Sequence, residues 1–221
     1  MRVTIWLLLL LMPSLPGWAE EVPQWRDFFL PERLVPIERR FGEQGLAQVH
    51  ELKAFIEARL AMKLPAHDHL AAVNDHFNRY HFVADATHWN RDDYWATPFE
   101  FVASGGGDCE DFSLAKFFTL RVLGLSSEHL RLMYAKALEL NQAHMVLIYL
   151  ESDSAMPLVL DNLNPKILPG DQRPDLLPVY AFNGEGLWRA RAFDQGVRLK
   201  QGDNGILLWQ DLLQRLAGDS S

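Results

Sequence analysis

The chain has 221 residues, enough for one sizeable hydrophobic core, and its 48% apolar content with seven Trp and thirteen Phe excludes a disordered protein. A formal charge of −8 at neutral pH lacks the basic footprint of a nucleic-acid-binding protein.

The first 19 residues have the layout of an export signal: Arg2, an apolar run from Ile5 to Met12, then Pro13-Ser14-Leu15-Pro16-Gly17-Trp18-Ala19. The run is too short to span a bilayer comfortably, so cleavage after Ala19 is expected. Removal takes one arginine and no acid, which makes the mature chain one charge more negative. Residues 20–221 read as a single domain with two lobes, helical over 20–125 and strand-rich over 126–221. No internal repeat and no linker divides them.

Glu20 to Arg40, rich in Pro, Trp and Phe, reads as an irregular arm or short helix. Gly42 to Leu64 predicts an amphipathic helix, with Leu46, Val49, Leu52, Phe55, Ile56 and Leu60 on one face and Pro65 after its end. A second helix is expected over His67–Tyr80, with Leu70, Val73, Phe77 and Tyr80 as its stripe. His67, His69 and His76 lie along it. Residues two apart point to different helix faces, so the His-x-His pair cannot share a metal ion there. Thr87 to Glu100 reads as a polar, aromatic loop.

Gly105-Gly106-Gly107 then leads into a helical pattern from Cys109 to Leu123, stopped by Gly124. Only Ser113, Lys116 and Thr119 interrupt its apolar surface, which predicts a central helix buried nearly all round. Strand patterns follow: Leu130–Leu140 and Ala143–Leu150 around an Asn141-Gln142 hairpin, then Pro157–Asp161, Val179–Phe182 and Leu187–Phe193, the last two joined by Gly184-Glu185-Gly186. Ile206–Leu216 closes the chain as a short amphipathic helix. Helices followed by strands imply an α+β fold, with an antiparallel sheet packed on helices.

Cys109 is the only cysteine. In an oxidising compartment a lone thiol is either buried and inert or kept for its chemistry. Its position favours chemistry: Asp108 is a candidate N-cap, and the first turn of a helix offers dipole and free N–H groups to a thiolate and to an oxyanion. Of eight histidines only His144 falls inside an apolar strand, and Asp161 ends another. The two are either ordinary core polar residues or the base and orienter of a Cys–His–Asp triad. The acids Asp108, Glu110 and Asp111 oppose thiolate formation by repulsion. They read either as acids capping the helix start or as the hard oxygen ligands of Ca²⁺.

The segments around Asp108-Cys109-Glu110-Asp111, Leu140–Leu147, Leu160-Asp161-Asn162-Leu163-Asn164 and Phe182-Asn183-Gly184-Glu185-Gly186-Leu187-Trp188 resemble the bacterial transglutaminase-like cysteine proteinases, in particular their periplasmic adhesin-releasing members. The resemblance covers most of the mature chain. It implies a papain-like, transglutaminase-like fold, with Cys109 as nucleophile, His144 as base and Asp161 as orienter. It also implies calcium dependence through Asp108, Glu110 and Asp111. A protease of this kind cuts the N-terminal region of a large surface adhesin at a paired-alanine site, which frees the adhesin from the outer membrane and disperses biofilm. It is restrained by the periplasmic domain of an inner-membrane cyclic-di-GMP receptor. Two other readings stand beside this one. An acyl transferase or amidase of the same fold shares the thioester chemistry, and in a non-catalytic binding module Cys109 is only structural.

Overall fold

A computed structural model describes residues 25–152, 155–190, 192–193 and 196–218; the expected export segment lies outside them. After a 3₁₀ turn at Trp25–Phe29, helix α1 runs Pro31–Ala61, broken at Gly42, whose φ of 71° leaves the helical region. The expected arm is therefore helical from Pro31, and the predicted start at Gly42 is the break inside α1. Val49, Leu52 and Ile56 form the buried face of α1, and α2 (Ala66–Phe77) adds Leu70, Val73 and Phe77. The polar loop holds a short helix α3 (Asp85–His88) and leads to α4 (Pro98–Ser104), started by a capping box between Thr97 and Glu100. Strands β1 (His81–Phe82) and β2 (Gly106–Gly107) make a two-residue parallel pair, and α5 spans Cys109–Val122.

The strand half is a seven-stranded antiparallel sheet in the order β6-β5-β4-β3-β7-β8-β9. Its members are β3 (Leu130–Ala137), β4 (Gln142–Tyr149), β5 (Leu158–Leu160), β6 (Leu168–Pro169), β7 (Leu176–Asn183), β8 (Gly186–Arg189) and β9 (Val197–Gln201). The β3–β4 hairpin turns on Asn141, which holds a φ of 52°, so β3 ends at Ala137, earlier than its apolar run suggests. The predicted strand over 187–193 stops at Arg189. Strands β6 and β9 have no clear counterpart in the sequence reading: β6 is two residues long, and every residue of β9 is exposed.

Alternation along the strands feeds two cores. Leu132, Leu147, Leu160 and Phe182 face the helices and meet α5. Met133, Ala135, Val146, Ile148, Val159 and Ala181 face the other way into a second apolar cluster that also takes in Phe193. Helix α6 (Leu207–Ala217) packs back on the helical side, with Trp209 against Phe117, Phe118 and Phe182. Among the described residues no helix is long and apolar enough to cross a membrane.

Helix α5 is buried over most of its surface. Ser113, Lys116 and Thr119, expected to form a polar stripe, are at most 3% exposed. Two of them have buried partners: Ser113 Oγ donates to Met145 O at 3.0 Å, and Lys116 Nζ to Asn74 Oδ1 at 2.9 Å.

Candidate active site

The glycine run has steric reasons that reach into the site. A Cβ on Gly106 would lie 2.1 Å from His81 O across the β1–β2 pair, and one on Gly107 would lie 2.1 Å from Asp111 Oδ2. Only glycine lets the backbone enter the parallel pair and lets the Asp111 carboxylate fold back over the loop. Asp108 then caps α5, its Oδ1 accepting the Glu110 N–H at 3.2 Å. Cys109 becomes the first residue of the helix, 9% exposed.

Ser113, one turn along α5, ties the helix to the Met145 carbonyl on β4, and the Met145 N–H points at the Cys109 sulfur. The thiol is thus held against the residue that follows His144. His144 Nε2 and Asp161 Oδ1 are 2.7 Å apart, with side chains 2% and 0% exposed. The pairing of β4 with β5, Leu147 opposite Leu160, sets Asp161 just past the end of β5, where its carboxylate reaches the His144 ring on the neighbouring strand. With Nε2 committed to the carboxylate, Nδ1 is the ring nitrogen left for proton transfer. Asp161 also accepts the Leu163 N–H on Oδ1 at 2.9 Å and an Arg173 N–H on Oδ2 at 2.6 Å. Burial pushes its carboxyl up, but the His144 bond and charge, the Leu163 N–H and the Arg173 bond outweigh it and bring it to about 2.

The three sequence-expected metal ligands do not converge on one point by themselves. Asp108, Cys109 and Glu110 form one group, and Asp85, Asp108 and Asp111 form another, with donor atoms within 4.8 Å of each other in each. Asp108 belongs to both. Glu110 accepts from Cys109 Sγ at 2.7 Å and from the Tyr134 hydroxyl at 2.7 Å. Asp111 is fully buried and accepts the Ala96 N–H at 2.7 Å.

The electrostatics of this cluster ask for a cation. Burial, then the charges of Glu110, Asp111 and Asp85, push Asp108 up to about 9. Burial raises Asp85 to about 6 and lifts Asp111 well above the carboxylate range, against N–H bonds from Tyr94 and Ala96 respectively. Burial and then Glu110 raise the Cys109 thiol, while the Met145 N–H works in the opposite direction. Asp85 Oδ2 accepts the Tyr94 N–H at 2.6 Å, but its Oδ1 is buried with no hydrogen-bond partner among the described residues. Three converging carboxylates with an orphaned oxygen fit a hard divalent cation such as Ca²⁺.

Asp85, Tyr134 and Arg173 were missed in the sequence reading. Asp85 sits 23 positions before Asp108 in an unremarkable polar segment, and Arg173 lies in a loop. Two histidines of the expected second helix have partners elsewhere: His76 stacks on Phe55 and takes Arg79 on Nδ1, and His67 is 3.8 Å from Glu151.

The family model for bacterial transglutaminase-like cysteine proteinases matches residues 47–174, more than half of the chain. Among solved structures, calcium-bound LapG of Legionella pneumophila aligns with a TM-score of 0.69 at 37% identity, over 84% of this chain and 98% of LapG. EGTA-treated LapG aligns with a TM-score of 0.70 at 37% identity, over 83% and 97%. No curated protein sequence matches the chain. With the lone cysteine at a helix start, a histidine–aspartate pair on neighbouring strands and this likeness over most of its length, the chain belongs to the bacterial transglutaminase-like cysteine proteinases and is a cysteine protease of transglutaminase-like fold.

Proposed function

We propose that the protein is a calcium-dependent periplasmic endopeptidase that cuts the N-terminal region of a large surface adhesin at a paired-alanine site and so promotes biofilm dispersal. The observation that carries the chemistry is the buried His144–Asp161 bond beside the helix start that presents Cys109. His144 Nδ1 takes the proton of Cys109 Sγ, and the thiolate attacks the scissile carbonyl. The Asp108 cap occupies the Glu110 N–H, so the Cys109 amide at the helix start serves as an oxyanion donor. The imidazolium, held by Asp161, returns its proton to the leaving amine, and water then hydrolyses the thioester by the reverse path.

Asp85, Asp108 and Asp111 are the residues grouped to hold Ca²⁺, while the expected ligand Glu110 is grouped with Asp108 and Cys109 instead. A bound Ca²⁺ supplies the positive charge that offsets the repulsion these acids exert on a thiolate. The structure of LapG with calcium bound supports this reading, as does its preparation in an EGTA-treated form. The proposed restraint is the periplasmic domain of an inner-membrane cyclic-di-GMP receptor, supported by the likeness to LapG.

The test is cleavage of the N-terminal segment of a large repeat adhesin from the same source. The expected outcome is a single cut, lost in Cys109→Ala and in His144→Ala, lost on chelation and restored by calcium. Full activity in chelator would remove the calcium part of the proposal. Cross-linking of an added amine in place of hydrolysis would favour the acyl transferase reading.

A further inference from the structure

A buried arginine is costly unless its charge is paired, so the partners of a buried guanidinium show what it is for. The Arg173 side chain is 1% exposed. Its Nη2 donates to Asp161 Oδ2 at 2.6 Å and to Asp175 Oδ2 at 2.7 Å, and its Nε donates to Asp175 Oδ1 at 2.9 Å. Nη1 is buried with no hydrogen-bond partner among the described residues. One planar fork thus joins two carboxylates, of which Asp161 is wholly buried and Asp175 is 36% exposed.

The backbone carrying Arg173 is held at both ends. Its N–H donates to Gly170 O at 3.1 Å and its carbonyl accepts the Leu176 N–H at 3.1 Å. Gly170 is itself fixed by Phe193, whose ring lies where a Cβ would stand, 2.2 Å from Phe193 Cβ. The guanidinium is therefore presented by a hydrogen-bonded turn.

We propose that Arg173 is a positioning residue for the cysteine protease chemistry: it locks Asp161 in one orientation, and Asp161 in turn sets the His144 ring. This proposal rests on the assignment of Cys109, His144 and Asp161 above. Both oxygens of Asp161 are then spoken for, Oδ1 by His144 and the Leu163 N–H, Oδ2 by Arg173. The carboxylate cannot rotate without losing a charged bond. The charged and titratable groups that act on it are His144 from β4, Arg173 from its own loop, and buried Lys116 from α5, with Asp175 behind the guanidinium. Lys116 already donates to Asn74, so Arg173 is the cation in direct contact. A lysine at position 173 would keep the charge but not the planar fork that bridges both carboxylates.

The test compares wild type with Arg173→Ala, Arg173→Lys and Asp175→Asn, with Cys109→Ala and His144→Ala as controls, on the adhesin N-terminal segment. Arg173→Ala is expected to lower kcat by about 10²-fold with KM little changed, because the imidazole loses its fixed geometry. The acid limb of its pH profile should move to higher pH, and added guanidinium ion should restore part of the lost kcat. The low-field proton resonance of the His144–Asp161 bond should shift or broaden. Arg173→Lys should fall between the two. If Arg173→Ala fails to fold, Asp175→Asn decides: its partly exposed carboxylate can be lost without unfolding, and a smaller loss in kcat with the same shift of the acid limb is expected. Wild-type kcat, acid limb and resonance in whichever variant folds would overturn the proposal. So would an activity loss that only tracks the folded fraction, with no shift and no rescue. Cleavage by Cys109→Ala would instead overturn the nucleophile assignment, and the resonance would still decide whether Arg173 holds the His144–Asp161 pair.

Discussion

At the scale of single residues, two aspartates show how burial and partners set opposite states. Asp85 keeps one buried oxygen without a hydrogen-bond partner among the described residues, and burial drives its carboxyl up to about 6. A cation bound among Asp85, Asp108 and Asp111 would reverse that penalty. Asp85→Asn should therefore weaken calcium binding by at least about tenfold, read by calorimetric titration of the purified protein, while far-UV circular dichroism stays unchanged. Unaltered affinity would remove Asp85 from the ligand set. Asp161 is the contrasting case. Its folded carboxyl sits at about 2, below the ordinary value of 3.8, so its contribution is complete above about pH 4 and is lost as pH falls toward 2. That contribution is on the order of 2 kcal/mol. Denaturant melts between pH 5 and pH 2 should show it in wild type and lack it in Asp161→Asn.

At the scale of elements, α5, which presents Cys109, is enclosed along most of its length. Leu114 and Leu120 are 0% exposed, and α2, α4 and the sheet surround them. Leu120→Ala should cost about 2–5 kcal/mol in urea unfolding, from lost transfer energy and the cavity left behind. The loop over 93–97 is the second such element, since its Ala96 N–H holds Asp111. It is pinned from the far end of the chain. Arg215 of α6 donates to Trp95 O at 2.5 Å, to Glu100 Oε2 at 2.5 Å and to the Tyr94 hydroxyl at 3.0 Å. Arg215→Ala should lower stability by about 2 kcal/mol and weaken calcium binding as well, because a nearly buried Glu100 keeps only Arg40 as its ionic partner. A stability loss with intact calcium affinity would separate α6 from the site.

At the scale of the whole molecule, the site lies on the seam between helices and sheet. Cys109 comes from one side, His144 and Asp161 from the other, and Ser113–Met145 joins them. Any cation that binds only the folded cluster stabilises the whole chain by mass action. At a calcium concentration 100 times Kd the gain is about 2.7 kcal/mol, which corresponds to a rise in Tm of roughly 5–10 °C for a chain of this size. Differential scanning fluorimetry with calcium and then with chelator should show the rise and its reversal. A Tm indifferent to both would leave the acid cluster as helix-capping charge alone.

Local rules made much of this legible. The apolar stripes of α1, α2 and α6, the all-round apolar pattern of α5 and the hairpin of β3 and β4 follow from periodicity, which depends on neighbours a few residues apart. His144 and Asp161 stood out because a charged or titratable side chain inside an apolar run needs a partner. The glycine run before Cys109 announced a loop-to-helix launch, though not that Gly107 yields its space to Asp111. What only the tertiary structure decided is which distant groups meet. Asp85 reaches Asp108 because the parallel β1–β2 pair brings the two loops together, and Arg173 reaches Asp161 because the turn after β6 folds back beneath it. Neither residue carries a local pattern, since a lone acid or arginine in a polar loop is ordinary until the fold buries it. The amino-acid order thus determined where a thiol, an imidazole and a carboxylate had to be explained. The packing of sheet on helices decided what surrounds them, because burial and the pairing of charges depend on contacts far apart in the chain.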